Sequence, residues 1–123
     1  DLGTKFNTSK VTNMAWMFSN LGNSELTELK LEREIGNTGA TNQFDTSSVT
    51  TMRSMFTNCT KLTQLDLSNF NVNKVTTMDD MFYNCTSLTQ LDISNFNFIK
   101  TPSMISILSN TPNDMNIAML YCS

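Results

Sequence analysis

Residues 44–69 read FDTSSVTTMRSMFTNCTKLTQLDLSN, and residues 70–95 follow at once with FNVNKVTTMDDMFYNCTSLTQLDISN. Aligned end to end, the two stretches agree at 17 of 26 positions, among them Phe44/Phe70, Met52/Met78, Met55/Met81, Phe56/Phe82, Asn58/Asn84, Cys59/Cys85 and Leu65/Leu91. A unit of this length cannot bury an apolar face alone, so copies at a fixed period stack on one another as a solenoid.

The phase extends in both directions. Phe96, Met104, Leu108, Ile117 and Met119 lie 26 residues beyond Phe70, Met78, Phe82, Leu91 and Ile93, which makes 96–123 a diverged copy. Upstream, FNTSKVTNMAWMFSN places Phe6, Val11, Met14, Met17 and Phe18 like Phe44, Val49, Met52, Met55 and Phe56. That unit, 6–43, is lengthened by EREIGNTGATNQ (32–43), a polar, glycine-containing insertion that reads as a loop. The expected organisation is one repeat domain over 1–123, with units 6–43, 44–69, 70–95 and 96–123. Asp1-Leu2 matches Asp66-Leu67, as though the chain began inside a repeat of a longer protein.

Within a unit, LTQLDLSN alternates, with Leu65 and Leu67 on one side and Gln64, Asp66 and Ser68 on the other, the period of a strand with one buried face. Strands this short must pair with their equivalents, in parallel and about 4.8 Å apart. The spacing predicts strands centred on Leu29–Leu31, Leu65–Leu67, Leu91–Ile93 and Ile117–Met119. In VTTMRSMF, Met52, Met55 and Phe56 fall at i, i+3 and i+4, which predicts a two-turn helix with its Met and Phe buried under the sheet. Thr50 and Thr76 are the expected caps of the middle helices, and Thr101-Pro102 marks the start of the last.

Composition narrows the function classes. A net charge of −3 with eight scattered basic residues argues against a nucleic-acid partner, which needs a concentrated cationic face. No apolar run is long enough to span a membrane, and no targeting segment is recognisable. Thr, Asn and Ser supply 47 of 123 residues, a polar and weakly charged surface that suits an extracellular module.

The candidate chemistry is sparse. There is no His, no CxxC spacing and no activated nucleophile, so neither a metal, nor a cofactor, nor an enzyme is expected. Cys59 and Cys85 occupy equivalent positions in neighbouring units, where a disulfide is sterically feasible but reduced, buried core thiols are the expectation; Cys122 has no equivalent. Asn58 and Asn84 match the glycosylation acceptor pattern, as does Asn7. At 58 and 84 the repeated position favours a structural amide that bonds the backbone or the next rung. Asp66 and Asp92 stand at one height on adjacent strands, with Lys30 equivalent to them, and read as a solvated ladder rather than an acid–base pair. Asp79-Asp80 is placed on the polar side of the helix, with no role beyond solvation.

The run VTxMxxMFxNCxxLTxLDLSxFN, nearly whole at 49–71 and 75–97, resembles the BspA-like leucine-rich repeat surface proteins, in the subgroup with a mycoplasma-type 26-residue repeat. The resemblance implies an α/β leucine-rich-repeat-like right-handed solenoid, with a short-strand parallel sheet on one side and short helices on the other. It also implies display on a cell surface and adhesion to a host or matrix protein or glycan, without an enzymatic site. Helices behind parallel strands would curve the sheet into a concave face, and Glu28, Lys30, Gln64, Asp66, Gln90 and Asp92 are its candidate partner-binding residues. The alternative is a structural spacer whose repeats have no ligand of their own.

Overall fold

Alternation of Leu with Gln and Asp produces one four-stranded parallel sheet in the computed structural model, which describes residues 7–23, 25–31, 44–98, 100 and 102–119. Its strands are β1 (Glu28–Lys30), β2 (Gln64–Asp66), β3 (Gln90–Ile93) and β4 (Asn116–Met119), side by side in chain order. Register follows the repeat: Leu29 pairs with Leu65, Leu65 with Leu91, and Leu91 with Ile117. Leu65, Leu67, Leu91 and Ile93 are buried, as the alternation requires. The insertion 32–43, the cap Thr101 and Cys122 lie outside the described residues.

The expected helices are not there. Among the described residues the only helical element is a 3-10 turn at Leu21–Asn23, and the stretch after Val49 is a run of turns. Its hydrogen bonds show why. Alternate amides, those of Met52, Ser54, Phe56 and Asn58, donate to carbonyls of the next rung at Thr77, Asp79, Met81 and Tyr83, over 2.8–3.0 Å. The amides of Met55, Thr57 and Cys59 close i→i−3 turns onto Met52, Ser54 and Phe56, and the Arg53 amide donates to the Thr51 hydroxyl. None of these amides is left for an i→i−4 helix.

This turn wall needs a left-handed residue every fourth position: Trp16 and Asn20, Ser54 and Asn58, Asp80 and Asn84, Ser106 and Asn110 all have φ between 55° and 64°. Thr50 and Thr76 do not cap helices. The amide and hydroxyl of Thr50 both donate to the carbonyl of Thr12, and those of Thr76 to the carbonyl of Thr50. Isolated parallel bridges continue the column through Asn13, Thr51, Thr77 and Ser103.

Packed helices need 8–10 Å between axes whereas strands need about 4.8 Å, and that mismatch is what bends a helix-backed sheet. Here Phe18, Phe56 and Phe82 stack behind the turn wall at 5.6 and 5.9 Å, and Phe44, Phe70 and Phe96 stack at 5.7 and 6.3 Å. The two phenylalanine columns keep nearly the same rung spacing. Among the described residues no packed helix supplies that mismatch.

The core is these phenylalanines together with Met14, Met52, Met55, Met78 and Met81 and the strand leucines. Met and Phe equivalents are buried in the two middle rungs but not throughout: Met17 is 42% exposed, Met104 39% and Leu108 38%, in rungs that the described residues cover on one side. Buried polar groups are paired in kind. The Thr8 hydroxyl donates to the Asp45 carbonyl and accepts from the Asp45 amide, both at 2.7 Å, and Thr46 does the same with Asn71.

The turn wall can be told from a helix by substitution at Asp80, a partly exposed residue with φ 57°. Asp80→Gly is expected to hold or raise stability, and Asp80→Val to lower it by about 1–2 kcal/mol, since a β-branched residue is strained at positive φ. A helix would reverse the glycine result, with a loss of about 1 kcal/mol. Urea denaturation of the three proteins decides it.

Candidate functional site

On the outward side of the sheet, register stacks like residues in rows. Glu28, Gln64, Gln90 and Asn116 form one row of Cα partners; Lys30, Asp66, Asp92 and Ala118 form the other. A shallow groove of about 280 Å³ runs over β2–β4, lined by Gln64, Asp66, Gln90 and Asp92, with Asn116, Ala118 and the two strand leucines. Four of the six expected face residues are thus brought together. Glu28 is exposed on β1 in the same row but outside the groove lining, and Lys30 shares the register of Asp66.

The two aspartates are not idle. Asp66 accepts the Ser68 amide and Asp92 the Ser94 amide, each at 2.9 Å, so each carboxylate turns the chain out of its strand. Among the described residues the second oxygen of each carboxylate accepts no hydrogen bond. The polar groups of the groove are amides and carboxylates over a floor of Leu65, Leu91 and Ala118, with no aromatic side chain in its lining.

Asp79 has a role that its sequence position does not announce. Its Oδ1 accepts from the Ser103 hydroxyl at 2.6 Å and the Ile105 amide at 2.8 Å, tying the third rung to the fourth. These two bonds hold its carboxyl below the usual aspartate range. The signal in sequence is the coincidence of a carboxylate at 79 with a serine 24 residues on, at 103.

The asparagine column behaves as its repetition suggests. Asn84 Nδ2 donates to Asn58 Oδ1, and Asn58 Nδ2 to Asn20 Oδ1, each at 2.9 Å. Asn58 and Asn84 are half-buried rather than buried and Asn20 is exposed, and the φ of 60–64° at all three suits asparagine better than most residues. Beside this column Gly22 is confined: a Cβ there would overlap Thr60 Oγ1 and stand 3.1 Å from the Asn58 carbonyl oxygen. Asn7 is exposed, with Oδ1 accepting the Ser9 amide at 2.8 Å.

Cys59 and Cys85 are buried and unbridged. The Cys59 thiol donates to the Phe18 carbonyl at 3.0 Å and the Cys85 thiol to the Phe56 carbonyl at 3.1 Å. Its hydrogen bonding with Cys59 and its burial push the Cys85 thiol above the usual cysteine range, which leaves it inert at neutral pH. Among the described residues no three His, Cys, Asp or Glu side chains converge as metal ligands, and no helix is long and apolar enough to cross a membrane.

Residues 2–118 match the family model described as Mycoplasma protein of unknown function, DUF285. The chain belongs to the DUF285 family. No curated protein and no solved structure matches it. The DUF285 match takes in all six expected face residues, both phenylalanine columns and the asparagine column.

A second concavity of this DUF285 chain lies on the turn wall, about 240 Å³ in volume and lined by Trp16, Ser54, Thr57, Asn58, Asp80 and Tyr83. Sequence reasoning passed it over, because Trp16 comes from a different rung from Ser54 and from Asp80, and only the stacking of the rungs sets these residues side by side. It holds the exposed aromatic rings that the sheet face lacks.

Proposed function

We propose that this DUF285 chain is a right-handed, leucine-rich-repeat-like solenoid of the BspA-like kind, displayed outside the cell as a recognition or adhesion module. Its outward sheet face engages a host or matrix protein or glycan, and it carries out no catalytic step. The observation that carries this reading is the groove over β2–β4, where Gln64, Gln90 and Asn116 amides and Asp66 and Asp92 carboxylates recur in register. Amides and carboxylates repeated at strand spacing suit an extended polar partner with donors at a similar interval. The weakly charged, Thr-, Asn- and Ser-rich surface supports an extracellular setting, and Glu28 and Lys30 would extend the contact onto β1.

A variant combining Gln64→Ala, Gln90→Ala, Asp66→Asn and Asp92→Asn strips this face while keeping an oxygen for the Ser68 and Ser94 amides. It is expected to melt like the parent and to lose tenfold or more of the parent's adhesion to matrix-protein or host-cell preparations. Equal binding by parent and variant would move the site to the turn-wall groove at Trp16 and Tyr83.

The spacer reading has its own support. Both aspartates already serve their own turns, and the asparagine and phenylalanine columns serve stacking alone. A parent chain that adheres to none of the preparations would favour it.

A further inference from the structure

The groove on the turn wall lies across three rungs. Trp16 of the first rung stands on one side, Asp80 and Tyr83 of the third on the other, and Ser54, Thr57 and Asn58 of the second lie between them, around a space of about 240 Å³. The first and third rungs are two strand spacings apart, about 10 Å, which leaves room over the rung between them. Neither Trp16 nor Tyr83 packs against another aromatic ring among the described residues.

Two polar groups in this groove have nothing to bond. Ser54 is 1% exposed, yet its hydroxyl has no hydrogen-bond partner among the described residues. Its repeat position faces outward, since Asp80 is partly exposed and Ser106 exposed, so the larger side chains on either side of Ser54 cover it. A buried hydroxyl left in this way is costly, and a ligand group seated above it removes the cost. The Asp80 carboxylate likewise has neither a hydrogen bond nor an ion pair among the described residues. Trp16 adds a third sign: of the eight residues at positive φ it alone is large, the others being Asn, Ser and Asp. A bulky residue in that region is strained, and such strain collects where ligands are gripped.

The geometry points to an oligosaccharide site on the turn wall, with one pyranose ring held between Trp16 and Tyr83. A pyranose presents C–H bonds on its faces and hydroxyls around its edge. The C–H faces pack on the electron-rich faces of the two aromatic rings, while edge hydroxyls donate to Asp80 and bond Ser54. A quaternary ammonium ion would use the rings and the carboxylate but leave the Ser54 hydroxyl unsatisfied. Past Asn58 a second concavity of about 350 Å³ continues, lined by Asn20, Gly22, Thr60 and Asn84. Asn58 and Asn84 each spend one amide hydrogen within the column and keep the other, so a second sugar ring finds donors there. The ligand is therefore at least a disaccharide. This site stands apart from the sheet face and does not rest on that reading: sugar titration and matrix adhesion succeed or fail separately.

Trp16 is the single tryptophan of the chain, so its emission reports on this groove. Titration with cellobiose, maltose, lactose and diacetylchitobiose is expected to change that emission saturably for at least one of them, with the corresponding monosaccharide tenfold or more weaker. No saturable change with any of these sugars at tens of millimolar, or a response to tetramethylammonium alone, overturns the site; equal affinity for monosaccharide and disaccharide overturns the second ring. Two variants keep the reporter. Tyr83→Thr installs the residue that the second rung has at Thr57, and Asp80→Asn keeps a side chain suited to positive φ. Each is expected to melt like the parent and to bind the responding disaccharide tenfold or more weaker. Unchanged affinity in either variant overturns the assignment of the sugar to this groove.

Discussion

Phe56→Ala is expected to lower folding stability by about 3–5 kcal/mol, a large part of the 5–15 kcal/mol that holds a domain of this size. Phe56 is fully buried between Phe18 and Phe82, with ring centroids 5.6 and 5.9 Å away. Its two neighbours cannot close over the space, because each belongs to a rung fixed by its own backbone bonds: the Phe18 amide is held by Met55 and the Phe82 amide by Ile107. A cavity that cannot collapse gives the upper part of the range for this kind of substitution. The internal control is Leu108→Ala, the same repeat position in the fourth rung, expected to cost about 1 kcal/mol or less because the side chain is already partly in water. Guanidinium unfolding of both variants measures the contrast. Equal losses would mean that the stack is not the source of the burial.

Leu91→Ala is expected to cost about 2–5 kcal/mol, and its neighbour Gln90→Ala about 0.5 kcal/mol or less. Leu91 sits in the middle of the sheet, paired in register with Leu65 on one side and Ile117 on the other, and is 2% exposed. Gln90 points into solvent. A difference this large between adjacent residues is the thermodynamic image of strand alternation. Similar losses at 90 and 91 would refute the register. The pair also separates folding from recognition, since Gln90 lines the proposed partner groove while Leu91 supports it from beneath.

The strands were legible because their signal is redundant. Leu65 and Leu67 alternate with polar residues, the same alternation recurs at 91 and 93, and the 26-residue phase then dictates both direction and register. The helices were misread because Met52, Met55 and Phe56 are inward-facing in a chain of turns as well as on a helix. Periodicity reports which side chains face inward, not how the backbone bonds. The discriminating signal is instead the pair of small or polar residues four apart, Ser54/Asn58, Asp80/Asn84 and Ser106/Asn110, at the positions that take positive φ. Ser54 is also buried, which a helix stripe of Met52, Met55 and Phe56 does not require.

Of the face residues, the grouping of Gln64, Asp66, Gln90 and Asp92 follows from register alone. The anchoring bonds of Asp66, Asp92 and Asp79 do not, because they depend on where a chain turns after leaving its element. The turn-wall groove was illegible because its residues come from different rungs.

The division of turn-wall amides between bonds within a rung and bonds to the next also governs how the molecule yields to tension. Pulled from its C-terminal end, the chain would give up the bonds joining the last rung to its neighbour, those at Met78, Asp80, Phe82 and Asn84, before any bond deeper in the stack bears the load. The i→i−3 turns of the next rung survive that step, since their partners lie inside the rung. Each rung of 26 residues releases roughly 90 Å of slack as it peels away. A stack built this way would lengthen in a series of small yields and spread a sudden pull over many of them.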